Sequence, residues 1–277
     1  MTDLAASADE VLEDGARPDT PDGDNLVLDY VRAEAAAYRD LARTNGGRTL
    51  SNDELGLHLA DLGLPTPFGN TAHVTRPITA DSRPAVIGAL RDFYVGSPGG
   101  PALLFSSWPT PDLAGDGFAR VGHPPLMFRP PARPESPENP APPGVELRAV
   151  TNSDELADFE RTLVEAYPVA EMQPWVRGAF VAPAILETPW QLFVAYDRER
   201  PIATAGAYVT DRLLIIELVS ARPETRGRGV GAAVTAAATT AASDRPAMLI
   251  ASDLGHGVYR GLGYIPLLRQ TLWILPR

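Results

Sequence analysis

The stretch that most limits how this chain can fold lies at residues 212–242. An apolar run ending Ile215-Ile216-Glu217-Leu218-Val219-Ser220-Ala221 leads into Arg226-Gly227-Arg228-Gly229-Val230-Gly231, and an alanine-rich segment follows. The spacing predicts a buried strand, a glycine-rich loop and a helix. At a helix N-terminus the first amides lack intrahelical partners and the macrodipole is positive. Glycine allows φ > 0 and close approach of backbone to a ligand. Arg226 and Arg228 add positive charge, so the segment is expected to cradle a pyrophosphate.

Two other nucleotide loops compete with this reading. Gly227, Gly229 and Ala232 formally match a dinucleotide fingerprint. That fingerprint needs a βαβαβ array, whereas the strand before this loop follows a meander and little sequence comes after it. A Walker A loop does not fit, because the spacing differs and all 24 basic residues are arginine. A loop that merely turns the chain is the remaining alternative.

Arg226-x-x-Gly229-x-Gly231, preceded by Pro223-Glu224, resembles the R/Q-x-x-G-x-G/A signature of the GNAT N-acetyltransferase superfamily. Downstream, Ala251-Ser252-Asp253 and then Val258-Tyr259-Arg260-Gly261-Leu262-Gly263-Tyr264 resemble that family's second motif. The resemblance covers residues 145–277. It implies acetyl-CoA as cosubstrate, its pyrophosphate held by the amides of Arg226, Gly227, Arg228, Gly229, Val230 and Gly231. It also implies that backbone of Val219, Ser220 and Ala221 pairs with the pantetheine arm, with one amide polarising the thioester carbonyl. Tyr259 would protonate the departing thiolate, and Glu217 would be the general base. His256, placed in a loop before Tyr259, is a weaker candidate to assist. Tyr259 could instead be a core aromatic, Glu217 could pair with an arginine, and deprotonation through water would need no dedicated base.

The rest of the sequence narrows the class. There are no cysteines, and His58, His73, His123 and His256 show no metal-ligand spacing. No metal is expected, although a carboxylate-only site stays open. The formal net charge of −11 argues against a nucleic-acid partner. No apolar stretch approaches the ~20 residues that span a bilayer, and the opening residues lack a signal-peptide pattern. A cytoplasmic enzyme without a membrane partner is expected, with homodimerisation left open. The expected partner is a small-molecule or peptide amine. The acidity favours a cationic one such as an amino sugar, a polyamine or a peptide N-terminus. The second hypothesis is a non-catalytic acyl-CoA-binding or regulatory module, and the third a structural protein on a worn fold.

Composition divides the chain. Residues 1–24 are acidic and poor in large apolar side chains, as in a disordered tail. Residues 130–144 hold seven prolines and read as a semi-rigid linker. A single domain crossed by an extended strap is the alternative. Before the linker, the pattern predicts helices at 26–44, 51–62, 82–94 and 110–115, the second opened by a Ser51–Glu54 capping box. Strands are expected at 71–76, 102–106 and 117–121, with 126–128 closing this half. After it come a strand at 145–149, helices at 152–166 and 172–180, strands at 190–196, 202–209 and 212–221, the loop and its helix, a strand at 247–251, a helix at 257–262 and a last strand from 264. The fold class is α/β, a mixed central sheet with flanking helices, GNAT-like, in two tandem halves.

Residues 25–129 are expected to be a degenerate GNAT-like repeat or an unrelated cap, since Leu113-Ala114-Gly115-Asp116-Gly117-Phe118 faintly repeats the segment ending at Tyr264. The first half lacks an R-x-x-G-x-G; the Gly96–Gly100 segment has neither the arginine nor the spacing. It should shape a substrate cleft and not bind CoA. Trp108, Trp175 and Trp190 could line that cleft, with core packing the alternative for each.

Overall fold

A computed structural model describes residues 25–131, 141–167 and 169–276. The tail at 1–24 and most of the proline-rich segment lie outside the described residues. Among the described residues the chain forms thirteen strands and five α-helices.

The first half contributes α1 (Leu26–Thr44), β1 (Arg48–Asn52), β2 (Leu57–Asp61), β3 (Asn70–Val74), α2 (Arg83–Tyr94), β4 (Ala102–Ser106), β5 (Ala119–Gly122) and β6 (Pro125–Arg129). The second contributes β7 (Val145–Ala149), α3 (Ser153–Ala166), β8 (Trp190–Asp197), β9 (Arg200–Val209), β10 (Leu214–Ala221), α4 (Val230–Thr239), β11 (Ala247–Ile250), α5 (Asp253–Gly261), β12 (Ile265–Arg269) and β13 (Thr271–Leu275). Asn25 and Asn152 cap α1 and α3 by accepting from backbone amides. Among the described residues no helix is long and apolar enough to cross a membrane.

Two mixed sheets result. Their spatial orders are β1-β2-β3-β4-β13-β5 and β7-β8-β9-β10-β11-β6-β12. Each has an antiparallel three-strand meander, a parallel step across a helix (β3 to β4 over α2, β10 to β11 over α4), and a terminal strand. In each, the strand wedged before the terminal one comes from the other half. β6 lies between β11 and β12, and β13 between β4 and β5, antiparallel on both sides. Divisions at 129 and 145 therefore cut through both sheets. Among the described residues, only β7 has no counterpart in the first half.

Two short corners show the same repetition. Gly117 and Gly263 are both left-handed, with φ of 80° and 85°, and each precedes a buried aromatic, Phe118 or Tyr264, that starts the last native strand of its sheet.

α1 lies between the sheets. Trp190 Nε1 donates to the Ala37 carbonyl and the Tyr208 hydroxyl to Asp40 on one side. On the other side, Glu34 faces His73 of β3. α4 packs on the opposite face of the second sheet against Leu214, Ile216 and Leu249, as the period-two alternation along β10 requires. α2 covers the first sheet, where Trp273 and Leu275 of the exchanged β13 join its core.

Several elements differ from the pattern-based expectation. Residues 51–62 form the β1–β2 hairpin and not a helix. The Asn52 side chain accepts from the Leu55 amide, and Gly56 turns with φ of 65°. The hydroxyl–carboxylate spacing resembled a helix start, but local Asx bonding closes a turn just as well. Residues 172–180 form no helix; a single 3₁₀ turn spans Ala170–Met172. The stretch at 110–115 is reduced to a 3₁₀ turn at Ala114–Asp116. The last strand is two, because Gln270 separates segments that enter different sheets.

Candidate active site

β10 and β11 pair in parallel only at Leu214↔Ala247 and Ile215↔Met248, and beyond that point they separate. On its other side β10 bulges against β9 between Glu217 and Ser220. Leu218 sits in the bulge with φ of 56°, unusual for a residue with a Cβ. Thr204 holds it there: its hydroxyl donates to the Leu218 carbonyl at 2.9 Å and lies 2.8 Å from the Ser220 hydroxyl. A β-bulge re-aims side chains and backbone groups beside it. Here Glu217 and Leu218, at the bulge, line a pocket on the α1 and α3 side of the sheet.

Across the loop, Gly227 and Gly229 both adopt the left-handed conformation, with φ of 74° and 81°. Gly229 is the N-cap of α4 and no side chain caps the helix. A Cβ at Gly227 would meet nothing within 4 Å, so the glycine serves backbone conformation and not packing. Residues 226–229 are exposed. The arginines are less free than their charge implies. Arg226 donates to the backbone carbonyls of Ala221 and Ala166, stapling the end of β10 to the end of α3, and Arg228 lies 3.6 Å from Asp197.

This pocket measures about 40 Å³ and is partly open to solvent. The rings of Tyr38, Phe68, Tyr167 and Phe180, together with aliphatic side chains of α3, form its walls. Phe68 packs edge-on against Tyr167 with centroids 4.8 Å apart. The Tyr38 hydroxyl donates to Glu217 Oε2 at 3.3 Å. Burial, reinforced by the nearby Glu34 carboxylate, pushes the Glu217 carboxyl up to about 8, against hydrogen bonds from Tyr38 and the Leu218 amide. Glu34 is itself buried, bonded by the Tyr30 hydroxyl at 2.6 Å. Its Oε2 is 3.3 Å from His73 Nδ1, without hydrogen-bond alignment.

Tyr259 comes from α5 and packs on the α4 side of the sheet, its ring against Gly255 and edge-on to Tyr264. Burial first, then the charge of Glu217, raise its hydroxyl well above the ordinary phenol range. The two candidate groups thus lie on opposite sides of the second sheet.

Residues 153–264 match the profile of the Acetyltransferase (GNAT) family. This part of the chain is a GNAT domain. A GCN5-related N-acetyltransferase from Kribbella flavida shares its fold at 22% identity, with a TM-score of 0.65 over 91% of this chain and 96% of that one. A functionally unknown conserved protein from Staphylococcus epidermidis gives 16% and 0.59 over 83% and 94%. A tandem GNAT protein from the clavulanic acid biosynthesis pathway gives 15% and 0.50 over 79% and 78%. No curated protein matches the chain in sequence. These likenesses extend the GNAT fold over both halves, and the family implies acyl transfer from an acyl-CoA.

Within the GNAT domain, Val219 lies inside the bulge, Ser220 and Ala221 resume pairing with β9, and the Ser220 hydroxyl is turned inward to Thr204. His256 is a helical residue of α5 and not a loop residue. None of the three tryptophans lines the pocket. Trp190 packs edge-on to Tyr208 in the core. Trp175 donates to Glu160, and Trp108 lies against two cores. The first-half counterpart of the glycine loop is not Gly96–Gly100, which follows α2. It is the crossover at 75–82, which has no glycine, and whose Arg76 is tied to the carbonyls of Asp53 and Glu54. Sequence reading missed Thr204, Tyr38 and Tyr167. Tyr30, Glu34 and Tyr38 stand four residues apart, one titratable stripe along an otherwise apolar helix face, and that signal was available.

Proposed function

We propose that the chain transfers an acetyl group from acetyl-CoA directly to a primary amine. The observation that supports this reading is the succession, along one segment, of Glu217, the bulge at Leu218 and a left-handed glycine loop that opens α4. Loop amides and the N-terminus of α4 face where a pyrophosphate would lie. The edge of β10 beyond Ile215 offers backbone to the pantetheine arm and an amide to the thioester oxygen. The amine nitrogen attacks the thioester carbon; the C–N bond forms and the C–S bond breaks, its electron pair leaving on sulfur. Glu217 takes the proton the nitrogen sheds, and Tyr259 supplies one to the thiolate. The first half contributes Tyr38 and Phe68 to the acceptor side and binds no CoA.

The test is calorimetry and thermal shift with acetyl-CoA, followed by turnover over an amine panel. Acetyl-CoA at 100 times its dissociation constant should stabilise the fold by about 2.7 kcal/mol. Absence of any heat or shift at millimolar acetyl-CoA removes the reading. Binding without turnover on any amine leaves a non-catalytic acyl-CoA module.

A further inference from the structure

The pocket beside Glu217 constrains the acceptor more tightly than the overall acidity does. Its walls are rings and aliphatic side chains, and Glu217 is its one carboxylate. Besides that carboxylate, the lining side chains offer only the hydroxyls of Tyr38 and Tyr167 as polar partners. A sugar amine would bring several hydroxyls into these walls and a polyamine a second charge. Polar groups buried without partners are costly. The pocket is narrow, about 40 Å³ and partly open, so it admits only a slender, compact group. Tyrosine and phenylalanine faces attract a cation that has shed water. The pocket abuts Leu218 of the bulge, so an amine at Glu217 is delivered to the strand edge where acyl transfer is assigned.

We infer that the acceptor is a small primary amine on an aromatic or aliphatic stem, its nitrogen held at Glu217 and its stem between Tyr38, Phe68 and Tyr167. The inference rests on reading this cleft as the acyl-transfer site, and it names the substrate class for it. The amine enters as ammonium, gives one proton to the Glu217 carboxylate and attacks with the lone pair so freed; its second proton leaves nitrogen as the tetrahedral adduct collapses and restores the one Tyr259 gives to the thiolate.

Binding separates this inference from the catalytic reading. In calorimetry on the full chain, 2-phenylethylamine should bind at least about tenfold more tightly than glucosamine or spermidine, the scale on which apolar pockets discriminate. Phe68→Gln should weaken 2-phenylethylamine by about tenfold and leave acetyl-CoA binding unchanged, which also reports that the variant is folded. Glucosamine or spermidine binding as tightly, or 2-phenylethylamine failing to bind at millimolar concentration, overturns the inference. Binding in the expected order without acetyl-CoA turnover upholds the pocket's ligand class and rejects acyl transfer.

Discussion

A carboxyl that must lose its proton before it can accept one sets the pH at which an amine acyltransferase works. Burial and Glu34 hold the Glu217 proton up to about pH 8. kcat/KM should therefore climb with pH along a limb centred near 8, and Glu217→Gln should flatten that limb while lowering kcat. A pH–rate profile that keeps the limb in the variant would assign it to another group. Stability should run the opposite way. Because the folded-state value lies above the unfolded one, near 4.5, Glu217 contributes most below pH 4.5 and loses that contribution as pH rises through 8. Glu217→Gln should thus melt with a shallower pH dependence than wild type across this window. Tyr259 calls for a different comparison. General acids typically contribute about 10²–10⁴-fold, and a thiolate is an easy leaving group, so Tyr259→Phe should cost at least about tenfold in kcat at neutral pH. KM for acetyl-CoA should barely change, since the ring still packs on Gly255. Full kcat in the phenylalanine variant would make Tyr259 a core residue only.

The cradle is a property of an element, a helix start built with left-handed glycine. Gly229→Glu forces a side chain into φ of 81°, at a cost of roughly 1–2 kcal/mol, and places a carboxylate where phosphate would sit. The loop is exposed, so the fold should survive while the acetyl-CoA-dependent thermal shift disappears; an undiminished shift would locate the cradle elsewhere. Such elements were the most legible in the sequence. α1, β4 and β7 fall on the expected residues, because amphipathic helices and buried strands carry strong periods. The glycine loop was legible because its residue types serve one backbone conformation. The β1–β2 hairpin was not, since Ser51 to Glu54 satisfies turn and helix rules alike. The bulge at Leu218 was invisible too, because the Thr204 hydroxyl that holds it comes from a neighbouring strand. The acceptor pocket needed tertiary structure, joining Tyr38 and Phe68 to Glu217 across distant segments.

At the scale of the molecule, the halves trade their penultimate sheet positions, so neither sheet is complete without the other half. A protein made of residues 141–277 alone would lack β6 between β11 and β12 and would leave β13 unpaired. We expect that piece to be insoluble by itself. Co-expressed with residues 1–131, it should co-purify as a stable one-to-one complex that binds acetyl-CoA. A monomeric, cooperatively melting 141–277 fragment would contradict the exchange. The same arrangement governs the order of events during synthesis. β4 and β5 leave the ribosome long before β13, the strand that fills the gap between them. At ~5–20 residues synthesised per second the gap stays open on the order of ten seconds, presenting two unsatisfied strand edges to every neighbouring nascent chain.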